Sequence, residues 1–139
     1  MTTTKESAGA ERIKMLVVED DKFLQRVLAM KLTSEGFEVS SANDGEEALK
    51  ILHSGDLPQV ILFDLIMPKM DGFEVLTVMK TEGLIKKIPV IVISNLGQDE
   101  DIKRAKDLGA SDFLVKAKIS LHVIAETIKE TYARLRKEK

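Results

Sequence analysis

A short apolar run that ends in a carboxylate is the first feature of this chain with chemical potential. Residues Val60–Phe63 are apolar and lead directly into Asp64, with turn-forming residues on both sides. A run of this length predicts a strand buried on both faces. Open α/β sheets place their chemistry at the carboxyl ends of such strands. Asp64 therefore has three interpretations: a helix cap, a solvated loop residue, or a nucleophile or metal ligand.

Other chemically useful side chains follow three further predicted strands. They are the acidic run Glu19-Asp20-Asp21, the hydroxyl of Ser94 and the ammonium group of Lys116. Because parallel strands end at the same edge of a sheet, we expect these groups to converge near Asp64, although the sequence separates them widely.

Several carboxylates at one edge repel each other and need a positive charge nearby. A hard divalent cation with oxygen ligands, Mg²⁺ above all, is the usual solution. Lys116 adds an ammonium group that could pair with Asp64 or with a phosphoryl oxygen, and Ser94 adds a hydrogen-bond donor. A carboxylate nucleophile, a metal, an ammonium and a hydroxyl are together the parts needed to move a phosphoryl group onto the carboxylate.

These groups require a sheet of parallel strands to position them. Apolar residues recur at helical spacing between successive strand-like runs, which predicts five strands alternating with five helices. Such an alternation indicates an α/β fold with parallel pairing through right-handed crossovers. The predicted strands are Met15–Val18, Phe37–Ser40, Val60–Asp64, Ile88–Ile93 and Asp112–Val115.

Several residues carry signals for helix starts. Asn43 followed by Glu46 resembles a capping box that opens the second helix. Asp21 fits a first-turn residue that stabilises the N-terminus of the first helix better than it fits a metal ligand. Asp71 and Gly72 fit the loop and the start of the third helix rather than catalysis.

Composition limits the class of protein. The 139 residues suit one domain, and 21 Lys and Arg against 23 Asp and Glu give no general attraction to nucleic acid or to an acidic membrane. The absence of cysteine excludes disulfides and thiol chemistry. No segment resembles a signal peptide or a membrane span, so we expect a cytoplasmic protein. Residues 1–11 are polar and predict a mobile tail, and residues 12–139 predict one domain.

The motif set resembles the receiver domain of bacterial two-component response regulators over about residues 12–136. The resemblance rests on the acidic pair after the first strand, the Met67-Pro68 and Met70-Asp71-Gly72 pattern after Asp64, and the positions of Ser94, Phe113 and Lys116. It implies a flavodoxin-like, doubly wound, five-stranded parallel sheet in the order 2-1-3-4-5.

The resemblance also implies roles at the site. Asp64 would accept a phosphoryl group from a phosphohistidine on a sensor histidine kinase or a phosphotransfer protein. Mg²⁺ would be held by Asp20, Asp64 and the backbone carbonyl of Ile66, with Glu19 reaching it through water. Lys116 would contact the acceptor. The protein would not be an enzyme beyond catalysing its own phosphorylation and dephosphorylation.

Signalling would follow from a local switch. After phosphorylation, Ser94 would move to a phosphoryl oxygen and Phe113 would follow inward, which would reshape the face made by the fourth helix, fifth strand and fifth helix. A downstream protein would bind that face, with no direct contact to nucleic acid or membrane. The chain would be a monomer or a phosphorylation-dependent dimer.

Two positions depart from the family pattern. Ala117 stands where the family usually has a proline joined to the lysine by a cis peptide bond; we expect Lys116 to keep its place nonetheless. Ile66, two residues after the acceptor, is bulky and apolar. Crowding by Ile66 on the path of an attacking water predicts slow loss of the phosphoryl group.

Other functions remain open on the sequence. A haloacid dehalogenase-like phosphatase would need another aspartate at Ile66, and a flavin carrier would need phosphate-binding hydroxyls or amides in place of Glu19-Asp20-Asp21. A degenerate receiver, which binds partners without being phosphorylated, normally lacks one of the acceptor, metal or lysine residues. A free-standing receiver and a receiver cut from a larger regulator at Lys139 would look the same.

Overall fold

The structure is a computed structural model that describes residues 12–67, 69–95, 99–116 and 119–137. Five parallel strands form one sheet in the order β2-β1-β3-β4-β5, as the resemblance predicts. The strands are β1 Ile13–Val18, β2 Phe37–Ala42, β3 Val60–Asp64, β4 Val90–Ser94 and β5 Asp112–Val115, and the helices are α1 Lys22–Ser34, α2 Gly45–His53, α3 Gly72–Thr81, α4 Asp99–Asp107 and α5 Leu121–Lys137, with one 3-10 turn at Leu84–Lys86.

Strand β3 lies at the centre of the sheet, and all five of its residues are buried. Its register fixes which loops meet at the carboxyl edge. Phe63 pairs with Val18 of β1, so Glu19 follows directly beside Asp64. Ser94 pairs with Val115 of β5, so Lys116 follows directly beside the end of β4.

The hydrophobic core has two layers because alternate strand residues face opposite sides of the sheet. Leu16 and Val18 of β1 pack with residues of α2, α3 and α4 on one side. Met15 and Val17 pack with α1 and α5 on the other. Since β3 is covered on both faces, its sequence shows no alternation between apolar and polar residues, which agrees with its interpretation as a doubly buried strand.

Two of the predicted helix starts are confirmed. The Asp21 carboxylate accepts hydrogen bonds from the amides of Phe23 and Leu24 at 3.0 and 3.1 Å, so it caps α1. Asp71 caps α3 in a capping box with Glu74, in which each side chain accepts from the other residue's amide at 3.0 Å.

The predicted capping box of Asn43 and Glu46 is wrong by one residue. Asp44 is the N-cap of α2, and its carboxylate accepts from the amide of Glu47 at 2.9 Å. The Glu47 carboxylate reaches back to the amide of Asn43 at 2.8 Å. Either of two neighbouring Asx residues can supply a cap, and the backbone path out of β2 selects Asp44.

Some expectations fall outside the described residues. The mobile tail at residues 1–11, Pro68 and the peptide bond between Lys116 and Ala117 are among them. The domain boundary at residue 12 therefore stays a prediction. Among the described helices, none combines the length and the apolarity needed to cross a lipid bilayer.

Gly72 holds the loop after Asp64 against the end of β3. Its amide donates to the carbonyl oxygen of Leu65 at 2.9 Å. A Cβ at this position would lie 2.7 Å from the Leu65 Cα and 2.8 Å from the Asp64 carbonyl oxygen. Both contacts are to backbone that cannot swing away, so the start of α3 approaches the acceptor strand closely only because residue 72 has no side chain.

We therefore expect Gly72→Ala to destabilise the fold. The added methyl must push α3 away from the end of β3, at a cost of about 1–3 kcal/mol in the free energy of unfolding measured with urea. Gly83→Asn is the control, because residue 83 has open space around it and a φ of 78° that Asn tolerates. Equal losses in the two variants would contradict this account of Gly72.

Candidate functional site

Three carboxylates meet at the carboxyl edge of the sheet. Glu19 and Asp20 follow β1, Asp64 ends β3, and one oxygen from each lies within 4.8 Å of the others. Glu19 is 1% exposed and Asp64 is 4% exposed, whereas Asp20 is exposed. The register of the two central strands is what brings these residues together. Asp21 turns away to cap α1 and is not part of the cluster.

The two oxygens of Asp64 have different partners. Oδ1 accepts a hydrogen bond from the amide of Ile66 at 3.1 Å. Oδ2 accepts one from Nζ of Lys116 at 2.8 Å. Since Asp71 rather than Asp64 caps α3, and since Asp64 is buried, the helix-cap and solvated-loop interpretations of Asp64 do not hold. The interpretation of Asp64 as a nucleophile or metal ligand remains, since Asp64 is a buried, oriented carboxylate beside two other acids.

Lys116 supplies the positive charge of the site. Its Nζ lies 2.8 Å from Asp64 Oδ2 and 3.0 Å from Glu19 Oε1, and 18% of its side chain is exposed. Burial acts to lower the pKa of Lys116, but the hydrogen bond to Asp64 and the contact with Glu19 outweigh it, so the pKa is raised. The ammonium therefore stays charged throughout the ordinary pH range. Among the described residues, Lys116 is the one cation in contact with this cluster of three acids.

Glu19 shows where this compensation falls short. Burial raises the pKa of its carboxyl group, although the amide of Asp21 and the ammonium of Lys116 act to lower it. Oε2 accepts from the Asp21 amide at 3.1 Å. Oε1 is buried and, among the described residues, has no donor aligned for a regular hydrogen bond; Lys116 lies 3.0 Å from it as an ion-pair partner.

The donor set fits a hard divalent cation. Carboxylate oxygens of Glu19, Asp20 and Asp64 within 4.8 Å of one another are the hard oxygen ligands that Mg²⁺ prefers. The Asp20 carboxylate has no hydrogen bond or ion pair with any described residue. The ligand atoms that these three carboxylates offer are all oxygens. This excludes from the site the softer metals, which prefer sulfur ligands.

Ser94 and Phe113 lie on the neighbouring strands of the same half of the sheet. Ser94 is the last residue of β4 and is fully buried. Phe113 lies in β5, is partly buried, and packs against the core layer that contains α4. Ile66 lies in the loop after the acceptor with 55% of its surface exposed, so its apolar side chain stands at the edge of the site.

One residue at this edge has no signal in the sequence pattern. Nε2 of Gln25, in the first turns of α1, lies 2.8 Å from the carbonyl oxygen of Glu19. An amide within an amphipathic helix looks like an ordinary surface residue. The contact between the Gln25 side chain and the acidic loop is visible only in the fold, where α1 lies over the end of β1.

We expect Lys116→Met to destabilise the protein, because Glu19 and Asp64 would then stay buried without their cation. The loss in the free energy of unfolding should be about 1–3 kcal/mol, measured with urea in the absence of divalent metal.

Lys103→Met is the matched control. Lys103 also contacts a carboxylate, Asp107, at 2.8 Å, but both side chains are mostly exposed, so its removal should cost under about 0.5 kcal/mol. If both variants lose the same stability, Lys116 does not compensate buried charge.

The sequence of this chain is similar to that of known receiver domains. The family model described as the response regulator receiver domain matches residues 15–129. Among curated relatives, the response regulator PleD of Caulobacter vibrioides is 44% identical over 103 residues, which cover 74% of this chain and 22% of that protein. A gliding motility regulatory protein of Myxococcus xanthus is 33% identical over 123 residues, 88% of this chain and 16% of that protein. The chain thus spans less than a quarter of these two relatives.

Solved structures show the same likeness. The receiver domain of the Francisella response regulator 1452 superposes with a TM-score of 0.81 at 28% identity, over 88% of this chain and 98% of that one. The chemotaxis response regulator CheY4 of Vibrio cholerae gives a TM-score of 0.79 at 27% identity, over 87% and 99% of the two chains. Together with the match over residues 15–129, these likenesses establish that the chain belongs to the response regulator receiver domain family of two-component signalling systems.

Proposed function

We propose that this receiver domain takes a phosphoryl group onto Asp64 from a phosphohistidine of a sensor histidine kinase or a phosphotransfer protein. The observation that carries the proposal is the pair of fixed contacts at Asp64, one oxygen on the Ile66 amide and the other on Lys116. A carboxylate held at both oxygens beside a cation is positioned to act as a nucleophile.

The transfer itself makes one bond and breaks one. An oxygen of Asp64 attacks phosphorus, the bond from phosphorus to the imidazole nitrogen breaks, and the donor histidine leaves with the electron pair of that bond. The product is an acyl phosphate on Asp64. Lys116 already touches Asp64 Oδ2, so its ammonium stands where negative charge builds up on the transferred group.

We assign the metal site to Asp20, Asp64 and the backbone carbonyl of Ile66, with Glu19 acting through water. Bound Mg²⁺ would supply charge neutralisation for the carboxylates and for the phosphoryl oxygens. Glu19 is the most buried of these acids, which suits an indirect role, and Asp20 is exposed, which suits direct access to an ion from solvent.

The switch residues would be Ser94 and Phe113. Ser94 ends the strand next to β3, so its hydroxyl is near enough in the fold to follow a new phosphoryl oxygen, and Phe113 would move with it. The face that changes would be α4, β5 and α5, where a downstream protein would bind.

The packing of α4 supports this assignment. Ala105 is the only residue of the helix that is buried, so little apolar contact fixes α4 to the sheet. Two contacts that join α4 to α3 are polar or cationic: Lys80 donates to the carbonyl oxygen of Asp107 at 3.0 Å, and the guanidinium of Arg104 lies 4.0 Å from the centre of the Phe73 ring. An element held so lightly can shift when a nearby charge changes.

The test is incubation with acetyl phosphate, with and without Mg²⁺, followed by intact-mass measurement. We expect the parent to gain one phosphoryl group only when Mg²⁺ is present, and Asp64→Asn to gain none. Asp56→Asn is the control, since Asp56 is also an aspartate in contact with a lysine, Lys14 at 3.0 Å, but is largely exposed.

Two outcomes would contradict the proposal. A mass gain that persists in Asp64→Asn would place the phosphoryl group elsewhere. No gain in the parent, either with acetyl phosphate or with a phosphorylated histidine phosphotransfer protein, would indicate a receiver that binds partners without being phosphorylated.

Ile66 gives a second prediction for the phosphorylated protein. Its exposed apolar side chain beside the acceptor should hinder the approach of water to the acyl phosphate. Ile66→Asn should therefore shorten the lifetime of the phosphoryl group several-fold, as followed by intact mass after removal of the donor. Equal lifetimes in the variant and the parent would show that Ile66 does not shield the group.

A further inference from the structure

We infer that Gln25 is a positioning residue for the metal-binding loop, acting on Glu19 and Asp20 through the backbone. The inference rests on the proposed metal site and goes beyond it, since Gln25 touches none of the carboxylates. Its side chain is partly buried on α1, one turn after the N-cap of the helix.

The side-chain amide of Gln25 joins three acceptors from two loops. Nε2 lies 2.8 Å from the carbonyl oxygen of Glu19, 3.2 Å from that of Ala42 and 3.0 Å from Oδ1 of Asn43. Two hydrogens serve these three oxygens, so at least one is shared. The amide thereby ties the loop after β1 to the loop after β2.

Further hydrogen bonds hold both ends of this connection, Asn43 on one side and Gln25 itself on the other. Asn43 is itself held by Glu47 of α2, whose carboxylate accepts from the Asn43 amide at 2.8 Å and from Nδ2 at 3.1 Å. On the other side, the backbone amide of Gln25 donates to the carbonyl oxygen of Asp21 at 2.8 Å. The Gln25 side chain therefore connects two helix N-termini across the end of β1.

The carbonyl that Gln25 binds belongs to the peptide unit between Glu19 and Asp20. This peptide unit is planar and includes the Cα atom of Asp20. A hydrogen bond that fixes the carbonyl oxygen therefore also restrains the position of the Asp20 Cα. The Asp20 carboxylate has no hydrogen bond or ion pair of its own within the described part of the chain, so its position depends on the backbone that carries it.

Electrostatics explain why such a tie is needed. Without a bound cation, the exposed Asp20 is repelled by Glu19 and Asp64, which lie within 4.8 Å, while Lys116 contacts only the other two acids. A loop free to move would carry Asp20 outward into water. Gln25 opposes that movement and keeps the acids ready for Mg²⁺, in the way that outer-shell partners hold metal ligands in other proteins.

The experiment compares Mg²⁺ binding by Gln25→Met and the parent by isothermal titration calorimetry. Met has a similar length and no donor, so we expect affinity about tenfold weaker, the lower end of the usual effect of losing an outer-shell partner. Arg26→Met, at the next residue of α1 and exposed, is the control: it removes a cation, so the affinity for Mg²⁺ should not weaken.

A second variant separates positioning from charge. Gln25→Glu keeps the size of the side chain, removes the donor and adds a negative charge near the site. Charge alone predicts tighter Mg²⁺ binding, whereas positioning predicts weaker binding, because a carboxylate would face three acceptor oxygens. Tighter or equal binding by Gln25→Glu would overturn the inference.

The phosphorylation rate and amide hydrogen exchange are two further measurements on Gln25→Met. The rate of phosphorylation by acetyl phosphate at saturating Mg²⁺ should match the parent in Gln25→Met, with only the Mg²⁺ midpoint raised. Hydrogen exchange at the amides of Glu19 and Asp21 should be faster in the metal-free variant.

Failure of this inference is distinct from failure of the proposed function. If the parent binds Mg²⁺ and is phosphorylated but Gln25→Met binds Mg²⁺ equally well, Gln25 has no positioning role and the proposed function stands. If the parent itself binds no Mg²⁺, both are wrong.

Discussion

The contact of one ammonium group with two buried carboxylates is the interaction on which the rest of the site depends. Glu19 and Asp64 lie at the ends of adjacent strands and would repel each other strongly without Lys116, which reaches both from the far side of β4. A buried charge is costly unless it is paired. The sheet can therefore end in acidic residues only because β5 delivers a lysine to the same edge.

This compensation is incomplete. Within the described residues, three carboxylates share one cation, and one buried oxygen of Glu19 has no aligned donor. A fully neutralised site would attract a divalent ion less strongly. The remaining negative charge favours a hard cation, at the cost of local repulsion that the surrounding backbone must resist.

Contacts that take no part in phosphoryl transfer hold the backbone in place against this repulsion. Gly72 lets the start of α3 press against the Asp64 and Leu65 backbone, and the Ile66 amide orients the acceptor. Gln25 ties the acidic loop to the end of β2. In α4, by contrast, Ala105 is the only buried residue. The proposed switch would therefore combine a fixed acceptor with a neighbouring helix that has little buried surface.

The sequence alone determined the five βα units, the strand that carries the acceptor, and the set of groups at its edge, because buried strands and helical stripes leave strong periodic signals. It named Asp64, Glu19, Asp20 and Lys116 from their place after predicted strands, and it placed Asp21 and Asp71 at helix starts, where the structure shows both as N-caps. The prediction from sequence was wrong where either of two neighbouring residues could cap a helix, as at Asn43 and Asp44. Tertiary structure decided which oxygen Lys116 contacts, how deeply Glu19 is buried and that Gln25 reaches across two loops, since these depend on strand register and helix packing between residues far apart in the chain.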